Sequence, residues 1–166
     1  MIFLRQGLHS EILKDMPKNE NDGEVANLIA EFEDKYKADS VHIDFGYGTG
    51  IYSFGKTMGR RWKLVNFGSK GAIGCKNKRA EIWKNLRDWL KEGGSIPNND
   101  SLKTDLISIE KKATLDGALL LKSKEEMKSD GLASPDFGDA LALTFAYNVK
   151  KKTKKIRASR PAGWMG

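Results

Sequence analysis

The sequence predicts an α/β domain built in three layers. Three observations carry that expectation. In the segments Gly23–Lys37 and Asn77–Lys91, apolar residues recur at spacings of three and four, the mark of one buried helical face. Short runs rich in β-branched and aromatic residues, Ser40–Phe45 and Trp62–Phe67, read as strands. The order strand, helix, strand, helix, strand then favours a sheet with helices packed on it.

The chain opens on Ile2–Arg5 and Glu11–Leu13, two runs that predict a hairpin around Gln6-Gly7. Asn19–Asp22 is a polar loop. Val25, Leu28, Ile29, Phe32 and Tyr36 define the buried face of the first helix, with Asp22 in position to cap it. After Ser40–Phe45 come Gly46, Gly48 and Gly50, which predict a turn, and then a short helix over Ile51–Met58. Asn77 caps the next helix, whose face is Ala80, Trp83, Leu86 and Leu90, and Gly93-Gly94 ends it. Leu106–Glu110 and Ala118–Leu121 predict a small strand pair around Asp116-Gly117. Ser134-Pro135-Asp136 starts the last helix, with proline inside its first turn. From Phe137 to Tyr147 that helix is apolar nearly all round, so it should be deeply buried.

With 166 residues, 39% of them apolar, the chain suits one domain with one core. No apolar run approaches membrane-spanning length, and the N-terminus is too soon interrupted by Arg5 to be a secretory signal. The single cysteine, Cys75, excludes an internal disulfide and fits a reducing cytoplasm. The net charge of +7 is confined to one place. Lys150, Lys151, Lys152, Lys154, Lys155, Arg157 and Arg160 crowd the C-terminus without an acidic residue. The other 22 of the 29 basic residues balance the 22 acidic ones. The expected division is a folded domain over 1–148 and a basic tail over 149–166. Such a tail either neutralises DNA phosphates in a salt-dependent way or serves as a solvated end.

Gly50-Ile51-Tyr52-Ser53-Phe54-Gly55-Lys56-Thr57 satisfies the phosphate-loop pattern. A phosphate loop must open a helix, whose N-terminal amides hold the anion. Here Gly59 and a strand-like run follow Lys56 too closely for one. Ile51, Tyr52 and Phe54 read instead as the buried face of a short helix, so a P-loop nucleotide-binding domain is the weakest of the functional readings.

Three carboxylates are the candidate chemistry. Asp44 ends an apolar strand, where α/β sheets gather ligands, though aspartate at such a place also caps helices. Asp136 and Asp139 lie on the first turn of the last helix. Asp136 suits the helix dipole, whereas Asp139 sits among buried residues and needs a partner or a metal. Converging carboxylates of this kind suit Mg²⁺ or Mn²⁺, and a pair of such ions can drive phosphodiester cleavage. His42 shares a strand face with Asp44 but reads as a packed residue, and with His9 it makes no metal pair. No serine or cysteine sits on a nucleophile elbow. Lys122, Lys124 and Lys128 precede the last helix, either to meet DNA phosphates or as a solvated segment.

These segments carry a resemblance. Val41-His42-Ile43-Asp44-Phe45-Gly46-Tyr47-Gly48-Thr49-Gly50, Asn77-Lys78-Arg79-Ala80-Glu81-Ile82-Trp83 and Ser134-Pro135-Asp136-Phe137-Gly138-Asp139-Ala140-Leu141 occur in that order. The sequence from Ile2 to Asn148 thereby resembles the nuclease domain of the large terminase subunit of tailed phages and prophages. The resemblance implies a ribonuclease H-like mixed sheet flanked by helices. It implies metal-dependent cleavage of double-stranded DNA concatemers during genome packaging, in the cytoplasm of the bacterial host. Asp44 would be the second metal-binding carboxylate. Asp136 or Asp139 would be the last, with Asp136 favoured because it lies nearer the helix start. Lys124, Lys128, Lys150, Lys151, Lys152, Lys154, Lys155 and Arg157 would meet DNA, and the partners would be the terminase motor domain, the small terminase subunit and the portal.

The sequence departs from that family in one respect. The family's first catalytic aspartate lies on a central strand before the segment matching Ile2–Gln6, and Ile2–Gln6 contains no acid. The chain therefore resembles a truncated or split terminase lacking the first central strand. It would take the missing piece from another chain, or act as an inactive fragment that binds DNA or a packaging partner.

Overall fold

The computed structural model describes residues 1–17 and 21–150. Strands β1 (Ile2–Gln6) and β2 (His9–Lys14) form the expected hairpin, turning at Gly7 with φ +59°. Helix α1 (Asp22–Tyr36) buries Val25, Ala26, Ile29 and Ala30. Its cap is Asn21, not Asp22: the Asn21 side chain accepts from the Gly23 amide at 2.8 Å. Strand β3 (His42–Asp44) is followed at once by helix α2 (Phe45–Thr57), and β3 pairs in parallel with β4 (Lys63–Val65).

The expected glycine turn after Asp44 is helix instead. Glycine weakens a helix interior by up to about 1 kcal/mol, so close packing must offset three of them. A Cβ at Gly48 would collide with the Ile43 side chain, one at Gly50 with the Asp22 carboxylate, and one at Gly55 with the Trp62 ring. The glycines let α2 lie directly on β3, α1 and Trp62. Phe54, expected on the buried face, is half exposed. The phosphate-loop segment lies wholly inside α2, so its amides belong to the helix ladder rather than to an anion site.

Helix α3 (Lys78–Lys91) is capped as expected, the Asn77 side chain accepting from the Ala80 amide at 2.9 Å. The next element corrects the sequence reading. Leu106–Ser108, expected in a strand, ends helix α4 (Asp100–Ser108), which Asn99 caps through the Leu102 amide. Leu102 and Asp105 are buried on one helical face while β-branched Ile107 points to solvent. The small strand pair is β5 (Lys111–Lys112) with β6 (Leu120–Leu121). Helix α5 (Lys124–Ser129) starts at a Ser123/Glu126 capping box, and α6 (Asp136–Leu143) closes the fold with Pro135 at its N-cap. Helix α6 is shorter than its apolar run: Ala146 is buried, but Tyr147 is 40% exposed.

The expected single mixed sheet is, among the described residues, three two-stranded sheets. The first two still form a middle layer. Ile2, Ile43 and Leu64 pack into a cluster with Val25, Ile29 and Trp62, while Phe3 and Val65 pack into the larger core of Trp83, Leu86, Leu102 and Leu141. Neighbouring strand residues thus face opposite helical layers, as the period of two requires. Indole N–H groups tie the layers together. Trp62 Nε1 donates to Glu33 at 2.8 Å, and Trp89 Nε1 donates to the Gly7 carbonyl at 2.8 Å.

Candidate active site

Asp44 lies at the carboxyl end of β3, and its side chain also caps α2 by accepting from the Gly46 amide at 3.1 Å. The two sequence readings of Asp44, crevice ligand and helix cap, are therefore compatible in one residue. Asp136 and Asp139 occupy the first turn of α6. Asp44, Asp136, Asp139 and Lys124 all line one open cleft of about 1330 Å³. Lys128 and Lys150 are exposed and do not line it, and Lys151, Lys152, Lys154, Lys155 and Arg157 lie outside the described residues.

The two α6 carboxylates differ in kind. Asp136 is partly exposed; its Oδ1 accepts from Ser134 Oγ at 2.9 Å and from Lys124 Nζ at 3.1 Å. Asp139 is buried. Its Oδ1 accepts from Arg79 Nε at 3.0 Å and Trp83 Nε1 at 2.7 Å. Its Oδ2 receives no well-directed hydrogen bond, although the Lys124 ammonium lies 3.1 Å away as an ion pair. Lys124 thus sits between both carboxylates. Burial pulls its pKa down, but Asp139 and Asp136 outweigh that and hold it above the ordinary lysine value. Among the described residues, no three carboxylate, imidazole or thiol groups converge to hold a metal ion.

His42 is a packed residue. Its Nδ1 lies 3.0 Å from the Leu143 carbonyl and its Nε2 3.0 Å from Ser40 Oγ, with Tyr147 edge-on at 5.4 Å. Burial lowers its pKa. His9 lies on β2, pairing with Ser95. Sequence reasoning missed Arg79, Trp83 and Asp105. The first two stand on the buried face of α3, spaced four apart behind Asn77. Asp105 was hidden by reading α4 as a strand; its Oδ2 accepts from the Phe137 and Gly138 amides at 2.8 and 3.0 Å.

Burial pushes the Asp44 carboxyl above its ordinary value, opposed by the Gly46 amide and by Lys124. The sign follows. A raised folded pKa means the folded state prefers the protonated form, so this contribution to stability is greatest at acid pH and is lost as pH rises through the raised value. Asp44→Asn keeps the cap and removes the disfavoured charge. Thermal unfolding should give a Tm equal to or above the parent at neutral pH, with the advantage vanishing near pH ~3, where both side chains are uncharged. Asp44→Ala should lose about 1 kcal/mol with the cap. A lower Tm for Asp44→Asn at neutral pH would contradict this account.

Asp44 at a strand end and Asp136 at a helix start line one cleft of a three-layer α/β frame, and the match of that frame to solved structures makes the fold ribonuclease H-like. Among solved structures, the chain is similar to the nuclease domain of the large terminase subunit gp2 of bacterial virus Sf6, with TM-score 0.62 and 20% identity, covering 88% of this chain and 80% of that one. A mutant of that domain solved with manganese gives TM-score 0.62 and 21% identity over 87% and 81% of the two chains. One solved with calcium gives 0.59 and 23% over 87% and 80%. No protein-family model matches the chain, and no curated protein matches it in sequence.

Proposed function

We propose that the chain is a terminase-type nuclease domain that cleaves double-stranded DNA during phage genome packaging in the bacterial host, using Mg²⁺ or Mn²⁺. The observation that carries this reading is the cleft lined by Asp44, Asp136 and Asp139, in which the Lys124 ammonium pairs with Asp136 and Asp139. These are hard oxygen donors, the set that Mg²⁺ and Mn²⁺ prefer. Asp139 Oδ2 is buried, accepts no well-directed hydrogen bond and already faces one cation, the Lys124 ammonium 3.1 Å away. Asp44 and Asp136 would hold the ion at the mouth of the cleft, while Asp139, anchored by Arg79 and Trp83, sets the field behind them. A divalent ion held there would supply Lewis-acid chemistry, activating water and offsetting charge on a leaving oxygen. Lys124 stands between Asp136 and Asp139 as their shared countercharge. The relatives solved with manganese and calcium support a divalent ion at such a site. The division into a domain over 1–148 and a tail over 149–166 belongs to the same proposal, as do Lys128, Lys150 and the basic tail as phosphate contacts, and the motor domain, small subunit and portal as partners. No helix among the described residues is long and apolar enough to cross a membrane.

Nicking of supercoiled plasmid tests the reading. Cleavage is expected in Mn²⁺, absent in chelator, and lost in Asp44→Asn. Cleavage that persists without divalent metal would sink the mechanism.

A second reading has its own support. The described residues hold no three-carboxylate cluster, and Lys124 occupies the space between two of them. On that reading the chain binds DNA or a packaging partner without cutting. Saturable DNA binding that weakens steeply with salt, with no cleavage in Mn²⁺, would favour it.

A further inference from the structure

A second groove lies apart from the carboxylate cleft and shares no lining residue with it. It encloses about 370 Å³ between the outer face of α3 and the turn that joins β5 to β6. Lys84 and Arg87 of α3 and Lys111 and Lys112 of β5 line it, with no acidic residue among the lining, and Gly74 and Gly117 contribute bare backbone. Nearby carboxylates neutralise only part of this charge. Lys84 and Arg87 share Asp88, at 3.2 and 2.7 Å, and Lys112 pairs with Glu126. Lys111 makes no ion pair among the described residues. The pairs are solvent-exposed, so little is lost when an incoming carboxylate replaces one partner.

Two aliphatic side chains border the groove. Ile73 precedes Gly74, Leu115 follows Thr114, and both are fully exposed. Both are carried on pinned backbone. The Leu119 amide donates to the Gly74 carbonyl at 2.8 Å and the Lys76 amide to the Leu119 carbonyl at 2.9 Å, which ties the Ile73 loop to the strand pair. The turn under Leu115 is closed by the Gly117 amide on the Thr114 carbonyl at 3.2 Å and by the Thr114 hydroxyl on the Ala118 carbonyl at 2.6 Å. A Lys76–Asp116 pair at 2.7 Å joins the loop to the turn. Aliphatic side chains held in place beside unbalanced positive charge can be buried by a partner with little ordering cost.

We propose that this groove docks an acidic segment of a partner protein, with its carboxylates on Lys84, Arg87, Lys111 and Lys112 and its aliphatic side chains on Ile73 and Leu115. Charge complementarity selects the occupant. The chain's own tail carries seven basic residues and no acidic one from 150 to 160, so the groove would repel it. A nucleic-acid backbone would satisfy the cations but leave Ile73 and Leu115 in water. The inference stands apart from the nuclease reading and is tested without any cleavage assay.

The probe is a synthetic peptide of about twelve residues in which pairs of glutamates alternate with single leucines. A matched peptide carries serine in place of leucine, and a single-stranded oligonucleotide of equal charge is the third ligand. Each is added to the isotope-labelled full chain, and amide chemical shifts separate the groove from the basic tail, which any anion would meet. The leucine peptide should shift the amides of Gly74, Thr114 and Gly117 along one saturable curve that weakens as salt rises. The serine peptide should bind there about tenfold more weakly, and so should the leucine peptide to Ile73→Ser with Leu115→Ser, since burying such side chains is worth about tenfold in affinity or more. Lys84→Glu with Lys111→Glu should also weaken it by about tenfold. All four positions are exposed, so the fold survives these changes. No shift in the groove, equal affinity of the two peptides, or an oligonucleotide that shifts the same amides as readily (a nucleic-acid surface) would overturn the proposal. So would groove shifts that follow protein concentration alone, in a sedimenting dimer (a second copy).

Discussion

Arg79→Ala is expected to cost the fold about 3 kcal/mol, toward the lower end of the 3–5 kcal/mol seen when one partner of a buried ion pair is removed. Arg79 and Asp139 are both buried, and the guanidinium also donates to the Lys122 carbonyl at 2.8 Å, so it joins α3, α6 and the entry to α5. Removing it leaves the Asp139 charge with the Trp83 indole and the Lys124 ammonium alone. Lys124 is what keeps the cost from the top of the range. Replacing both partners, as in Arg79→Met with Asp139→Leu, should recover much of the loss, because a well-packed apolar pair avoids the desolvation penalty. Asp136→Asn is the contrast. Its pair with Lys124 is partly exposed, so the change should stay within about 1 kcal/mol. Urea unfolding of the three variants checks the ordering. A loss under about 1 kcal/mol for Arg79→Ala would remove Asp139 from its anchoring role and return it to equal standing with Asp136 as a metal ligand.

The same contrast explains how much of the site was legible in the sequence. A carboxylate at a strand end and two at a helix start are local signals, and Asp44, Asp136 and Asp139 do share one cleft. Their division of labour is not local. Asp139 is defined by Arg79, which lies sixty positions away. Helices α1 and α3 were legible through their apolar spacing, and at α3 the Asn77 cap agreed with it, whereas at α1 the cap fell one residue early, on Asn21 rather than Asp22. Of α2 only the second half was legible, as the short helix expected over Ile51–Met58; its first half was not, because glycine is read as punctuation unless the neighbour that claims its missing Cβ is known. Here those neighbours are Ile43, Asp22 and Trp62, brought in by tertiary packing. In α4, β-branched Ile107 and Ile109 imitated a strand, and the Asn99 cap outweighed them. The sequence predicted one mixed sheet, whereas the described residues pair as β1 with β2 and β3 with β4, because strand pairing depends on neighbours that local patterning does not name.

Asp105→Ala is expected to loosen the start of α6 and cost about 2–4 kcal/mol, from one buried and one part-buried amide each losing a carboxyl acceptor at about 1–3 kcal/mol apiece, with entering water offsetting part. Pro135 occupies the N-cap and makes no side-chain cap bond. The α6 amides of Phe137 and Gly138 are satisfied instead by Asp105, a carboxylate lent by α4. The arrangement explains two other features. Gly138 has room for no Cβ, because the Trp83 ring and Asp105 already press on it, and Asp136 is left to face the cleft rather than fold back on its own helix. Asp105→Asn keeps one acceptor oxygen and should fall between parent and Asp105→Ala. Hydrogen exchange at Phe137 and Gly138 reads the effect where it arises, and it should rise in Asp105→Ala well before the α3 amides respond. On the proposed nuclease function, metal-dependent cleavage should fall alongside, since the turn that carries Asp136 is the turn that frays. If those two amides stay protected in Asp105→Ala, the helix start is held by packing against Trp83 alone, and Asp105 has no part in aiming the carboxylate.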